Sequence, residues 1–261
     1  MNPPIGFRII LLTAAFVASV SYGANVQIAV AANFRSAMKE IVTLFEEETD
    51  HDITLIVGST GRLYAQILNA APFEIFFAAD DRRPIALQEK ELIVPGTRIT
   101  YATGSLVLWS PDSELVDSAG AVLEKGDSWN RFSIANPNTA PYGEAAREVL
   151  SSRGLWEPLR DRIVTANTIA QTFQQVSSGS ADLGFVAVSQ IAAINGKGSS
   201  WSPPENSYKP LVQQAVLLLP GAKNRGAREF MDFARSNQAI EIIRRYGYKV
   251  RDSVDSTTVG E

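Results

Sequence analysis

The 261-residue sequence contains no cysteine, which removes disulfides, thiolate nucleophiles and thiolate metal ligands together. Histidine occurs once, at His51, so a zinc or copper site lacks its preferred ligands. That histidine follows Glu46-Glu47-Glu48-Thr49-Asp50 at the end of a helical pattern and reads as a solvated loop residue. A triad base must instead be held against a serine and an acid. No Gly-x-Ser-x-Gly elbow is present, since Gly58-Ser59-Thr60-Gly61 has the wrong spacing. Gly196-Lys197-Gly198 lacks the leading glycine of a Walker A loop. Asp80-Asp81 are adjacent, which suits a helix start better than a carboxylate dyad. Excess positive charge is missing too: the formal net charge is −4, which argues against a general nucleic-acid binder. An enzyme reading is left with a secreted hydrolase that has no recognisable base and nucleophile pair.

What is present begins with a leader. Arg8 is the one charged side chain in residues 1–24; the apolar run from Ile9 to Ala18 follows, then small residues from Ser19 to Ala24. This is the layout of a secretory signal peptide. The run is shorter than the roughly 20 residues of a transmembrane helix, although an uncleaved anchor, and with it a membrane-tethered sensor lobe, is the alternative. Cleavage after Ala24 would put bulky Tyr22 three residues upstream, so cuts after Ser21 or Gly23 are open as well. An exported chain without disulfides depends on its core, and the length beyond the leader is enough for one.

From Val26 onward, short β-rich apolar runs alternate with helical patterns. Val26–Ala32, Ile53–Val57 and Phe73–Ala79 read as strands, and Phe34, Met38, Ile41 and Phe45 mark one helix face. Further strands are expected at Leu106–Trp109, Phe132–Ala135, Ile163–Thr165 and Leu183–Val188. Helices are expected at Glu144–Arg153 and Ile169–Ser177. Such alternation predicts an α/β fold with mainly parallel sheets and helices on both faces. Asn195–Pro210, rich in Gly, Ser and Pro, reads as a long loop. Only about 50 residues follow that loop, too few for a separate α/β domain. They are therefore expected to complete the first lobe, with the chain crossing between lobes near Tyr101–Ser105 and near Val212–Ala215. The expected organisation is a leader (1–24), lobe I (25–103), lobe II (104–213), completion of lobe I (214–250) and a frayed tail (251–261).

Polar residues cluster at the strand-to-helix turns. Asn33 follows the first strand, Ser59-Thr60-Gly61 the second, Tyr142-Gly143 precede a helix, and Asn167-Thr168-Ile169 open another. In a parallel sheet these turns lie at the carboxyl ends of strands, where ligands bind. Each presents free backbone N–H groups and a positive helix-dipole end, suited to an anion. Asn33 and Ser59 are also good N-caps, and capping alone would account for either.

Six segments carry a resemblance over Val26 to Val250. They are Ala31-Ala32-Asn33-Phe34, Gly58-Ser59-Thr60-Gly61, Phe76-Phe77-Ala78-Ala79-Asp80, Ala140-Pro141-Tyr142-Gly143, Asp182-Leu183-Gly184-Phe185-Val186 and Arg245-Tyr246-Gly247-Tyr248. Their order and spacing resemble the periplasmic molybdate-binding proteins of ABC importers. The resemblance implies two Rossmann-like lobes joined by two crossover strands, the type II periplasmic-binding-protein architecture. It implies a monomeric, non-enzymatic carrier without a cofactor that captures molybdate or tungstate for a membrane permease. By the same resemblance the oxyanion is held by neutral donors at Ala32, Asn33, Ser59, Tyr142 and Ile169, the last through its backbone N–H, with no direct metal ligand. Some members place a tyrosine where this chain has Ala187, and the Tyr142 phenol is expected to stand in, its own N–H opening the helix at Glu144. The alternatives are a binder of sulfate, another oxyanion or a small organic acid.

Overall fold

A computed structural model describes residues 23–250; the predicted leader up to Tyr22 and the predicted tail from Arg251 lie outside the described residues. The chain opens with β1 (Asn25–Ala31), α1 (Arg35–Glu48), β2 (Asp52–Gly58), α2 (Thr60–Leu68), β3 (Ile75–Phe77), α3 (Arg82–Glu89) and β4 (Ile99–Gly104). It continues through β5 (Leu106–Ser110), β6 (Phe132–Ala135), α4 (Pro141–Ser152), β7 (Ile163–Ala166) and α5 (Ile169–Ser177). Next come β8 (Leu183–Ala187), α6 (Val188–Ala192) and β9 (Ser199–Trp201), and then β10 (Leu211–Leu217), α7 (Arg225–Phe233) and α8 (Asn237–Arg245).

These strands form two five-stranded sheets, ordered β2-β1-β3-β10-β4 and β7-β6-β8-β5-β9. The expected parallel sheets are in fact mixed. β1 pairs parallel with β2 and β3, and β6 with β7 and β8, but β10 runs antiparallel to β3 and β4, and β5 antiparallel to β8 and β9. The reason lies in the connections: β10 enters the first sheet from the second, without a crossover helix to restore its direction. Leaving the first sheet at Gly104 and returning at Leu211, the chain makes its two crossings side by side, because Leu211 pairs with Gly104.

Alternation along β1 explains its unbroken apolar run. Val26, Ile28 and Val30 pack with Phe45, Phe230 and Ile242 on one face, while Ala29 packs with Leu63, Phe76 and Leu87 on the other. A strand covered on both faces has no polar side to show. The second sheet does the same, with Leu106 and Leu108 toward α4 and Val107 and Trp109 toward α5.

Two expectations fail here. Asn195–Pro210 is not a plain loop, since Ser199–Trp201 forms β9 on the edge of the second sheet. Three residues among glycines and prolines carry no readable period. His51 is not solvated either; it is 7% exposed, its ring stacked on Phe45 with centroids 5.7 Å apart. Its Nδ1 accepts the Ala24 N–H at 2.9 Å, so Nε2 carries the proton and donates to Glu229 at 2.8 Å. The polar run before it hid the tertiary contact. His51→Ala should therefore lower stability by roughly 1–2 kcal/mol, the cost of leaving a part-buried N–H unmatched, read as a shift in urea midpoint at unchanged slope.

Candidate functional site

Three strands of the first sheet and two of the second end at one small pocket. In the first sheet β1 leads through Ala32 into the 3₁₀ turn Ala32–Phe34, β2 leads through Ser59 into α2, and β3 ends at Ala78-Ala79. β2 and β3 flank β1, so the chain departs to opposite sides of β1, the switch-point arrangement that opens a crevice at the strand ends. From the second lobe come the starts of α4 and α5. Ala31, Ala32, Asn33, Gly58, Ser59, Thr60, Ala79, Ala140, Pro141, Tyr142 and Ile169 line a small cavity of about 10 Å³. That is far below the roughly 300–1,000 Å³ of drug-sized pockets and near the space of a single water, so only a compact ligand suits it. All five residues singled out in the sequence, Ala32, Asn33, Ser59, Tyr142 and Ile169, face it.

No lining side chain carries a formal charge. The nearest acid in the chain, Asp80, is buried beyond Ala79 and bonded by the Arg83 guanidinium. Burial pushes its carboxyl upward, opposed by Arg83 and Arg82. The pocket's polarity comes instead from hydroxyl groups and from the N-terminal ends of helices.

Ser59 stands at the N-cap position of α2, yet its side chain makes no capping bond. It is 3% exposed, and among the described residues Ser59 Oγ is the one buried side-chain polar atom without a hydrogen-bond partner. Capping therefore does not account for it. Neighbouring groups are occupied: Thr60 Oγ1 accepts the Ala79 N–H at 3.1 Å, and the Gly61 N–H crosses to the Thr139 carbonyl of the second lobe at 2.8 Å. A Cβ at position 61 would lie 2.9 Å from that carbonyl oxygen, so glycine permits the lobes to meet there.

Asn33 is not a cap either. Its Nδ2 donates to Gln213 Oε1 at 2.9 Å and to the Tyr248 hydroxyl at 3.0 Å, so both amide protons are committed. Its carbonyl accepts from Ser189 Oγ at 3.0 Å and from the Tyr248 hydroxyl at 2.8 Å, tying the first lobe to α6. With both amide protons committed, Asn33 has no side-chain donor left for the pocket.

Tyr142 is 1% exposed and sits in the first turn of α4, which begins at Pro141 rather than at the expected Glu144. Proline at the first helical position needs no N–H partner there, and its fixed φ starts the helix early. The phenol accepts a hydrogen bond from Gln213 Nε2 at 3.1 Å, and burial raises its pKa well above the ordinary tyrosine value. Ile169 opens α5, where Thr168 Oγ1 caps Gln171 N–H at 3.1 Å. Gln190 then bridges the Ile169 carbonyl at 3.1 Å and the Ala187 N–H at 2.9 Å, so the Ala187 position is closed by an amide.

Sequence reasoning missed Gln213, Tyr101, Gly104 and Tyr248, which build the layer behind the pocket. One signal was there: Gln213-Gln214 interrupt an otherwise apolar run from Leu211 to Leu219, and amides buried in a central strand need designated partners.

Two α/β lobes closing on a small, uncharged pocket lined by helix N-termini define a solute-binding protein. The chain belongs to the bacterial extracellular solute-binding proteins, whose family model matches residues 26–249. A molybdate-binding protein, ModA, of Azotobacter vinelandii is 45% identical over 243 residues, 92% of this chain and 96% of the relative. ModA of Rhodobacter capsulatus is 46% identical over 220 residues, covering 84% and 86%. The solved Azotobacter vinelandii periplasmic molybdate-binding protein superposes with a TM-score of 0.83 at 42% identity, covering 87% of this chain and all of that one. A sulfate-binding protein of Mycobacterium tuberculosis shares the fold, with a TM-score of 0.68 at 11% identity.

Proposed function

We propose that this protein captures molybdate, and tungstate with it, in the interlobe pocket and delivers it to the membrane permease of an ABC importer. The observation that carries this is Ser59 Oγ, a buried hydroxyl without a partner, aimed into a pocket with no charged side chain. A hydroxyl in that position awaits an acceptor. Backbone N–H groups of the Ala32–Phe34 turn and of α4 and α5, with the Tyr142 hydroxyl, supply the other donors. Charge-assisted hydrogen bonds of about 1.5–3 kcal/mol each offset the cost of desolvating a dianion. The lack of a lining carboxylate favours an oxyanion that carries no proton at neutral pH over hydrogen phosphate. No cofactor or nucleic acid enters this scheme, and one chain suffices for the site.

Isothermal titration of the purified protein with molybdate, tungstate, sulfate and phosphate tests the assignment. Molybdate and tungstate should bind tightest, sulfate more weakly and phosphate least. Preferred sulfate binding would make the protein a sulfate carrier on the same donors.

Delivery to a permease requires export. N-terminal sequencing of the protein recovered from the periplasm should find a first residue between Tyr22 and Asn25. Recovery of the intact chain from membranes would instead make it a tethered receptor.

A further inference from the structure

The second lobe's phenol has a direction imposed on it from behind. Gln213 on β10 is fully buried, and its Oε1 accepts from two donors, Asn33 Nδ2 at 2.9 Å and the Tyr101 hydroxyl at 2.8 Å. An amide whose oxygen is held twice cannot flip, because the flipped form would set its NH₂ against those donors. Its Nε2 is thereby turned to the Tyr142 hydroxyl, 3.1 Å away. A hydroxyl approached by a donor keeps its own proton for another acceptor. Among the described residues no acceptor takes that proton, and the pocket is the space the phenol borders.

Local backbone makes this geometry possible. Ala102 pairs with Gln213 but Thr100 pairs with Gln214, so Tyr101 is an extra residue on β4, a bulge that brings its hydroxyl to the Gln213 oxygen. At Gly104 a Cβ would lie 2.1 Å from the Tyr142 hydroxyl oxygen and 2.4 Å from Gln213 Nε2. Absence of a side chain there leaves room for the pair. Because Tyr142 belongs to α4 of the second lobe and Gln213 to a strand of the first sheet, the contact exists in the closed arrangement of the lobes.

We infer that Gln213 is a positioning residue for oxyanion recognition: it fills the acceptor side of the Tyr142 hydroxyl on closure, so that the phenol can act toward the ligand only as a donor. This rests on the oxyanion-binding assignment above. It also accounts for how the pocket manages with alanine at position 187, since one oriented phenol replaces another.

A double-mutant cycle with sodium molybdate, read by isothermal titration, tests it. Gln213→Met keeps the side-chain length and removes both polar atoms. The groups it abandons have second partners, Ala78 O for the Tyr101 hydroxyl and Tyr248 for Asn33. Alone, Gln213→Met should weaken molybdate binding about fivefold, the scale of one neutral hydrogen bond. In a Tyr142→Phe background it should change affinity by less than about twofold, since no hydroxyl remains to orient. Should Gln213→Met melt far below the parent, Gln213→Glu replaces it in the cycle; it keeps the acceptor for Tyr101 and Asn33 but draws the Tyr142 proton away from the ligand. An equal loss in both backgrounds would mean that Gln213 only supports the fold and would overturn the inference alone. A parent protein that binds neither molybdate nor tungstate would overturn the functional assignment beneath it as well.

Discussion

Ser59→Ala should lower molybdate affinity roughly ten- to a hundredfold, equivalent to about 1.5–3 kcal/mol for a hydrogen bond to a charged ligand. The size follows from what Ser59 lacks. Its hydroxyl bonds to none of the described residues and caps no helix, so no recorded contact is lost with it. Replacing a buried, unsatisfied hydroxyl by a methyl group should leave the melting temperature of the ligand-free protein unchanged or slightly higher. The ligand-induced rise in melting temperature should shrink in step with affinity. This pairing of lost binding with preserved stability separates a ligand donor from a structural serine. If the variant binds molybdate within twofold of the parent, the hydroxyl plays no part in recognition.

The second large effect is expected at Tyr142. Tyr142→Phe keeps the ring, which packs in the core with Ala145, Ala146 and Leu211, and removes only the oxygen. As a donor to a dianion the phenol should be worth at least tenfold in affinity. Burial keeps it protonated well above the ordinary tyrosine range, so the donor is intact at any pH at which the carrier works. Stability of the ligand-free variant should fall by roughly 1–3 kcal/mol, because the fully buried Gln213 Nε2 loses its recorded partner at 3.1 Å. Loss of affinity beyond that seen in the melting curve then reports the donor. If Tyr142→Phe binds normally and only Tyr142→Ala fails, the ring closes the pocket and the donors are Ser59 and backbone amides. Measuring both variants by titration, with melting curves as controls, distinguishes a polar from a steric role.

Much of this was legible in the chain. Apolar runs separated by helical periods set out the alternation of strand and helix because each run is buried by neighbours on both faces, as in β1. The polar turns after Val30 and Val57 and before Glu144 and Gln171 were visible because a parallel strand must end in a turn, and that turn sits at a helix start. Their convergence on one pocket followed from the strand order. Direction within the sheets was not legible. β10 looks like any other apolar strand, and its antiparallel sense depends on arriving from the other lobe. The short strand β9 and the bulge at Tyr101 carry no periodic signal.

Side-chain roles divide along the same line. Sequence by itself determined that the chain has no thiols, a single imidazole and no nucleophile motif, and that small neutral residues stand at the helix starts; these are properties of composition and of local spacing. Tertiary structure alone decided that His51 is buried against Phe45 and Glu229 rather than solvated. It also decided that Asn33 spends its amide on Gln213, 180 residues away, and on Tyr248, while Ser59 spends its hydroxyl on nothing. The physical reason is that a hydrogen-bonding group is defined by what remains unsatisfied after folding. Local sequence states which donors a residue owns, and only the assembled lobes determine which of them are left for a ligand.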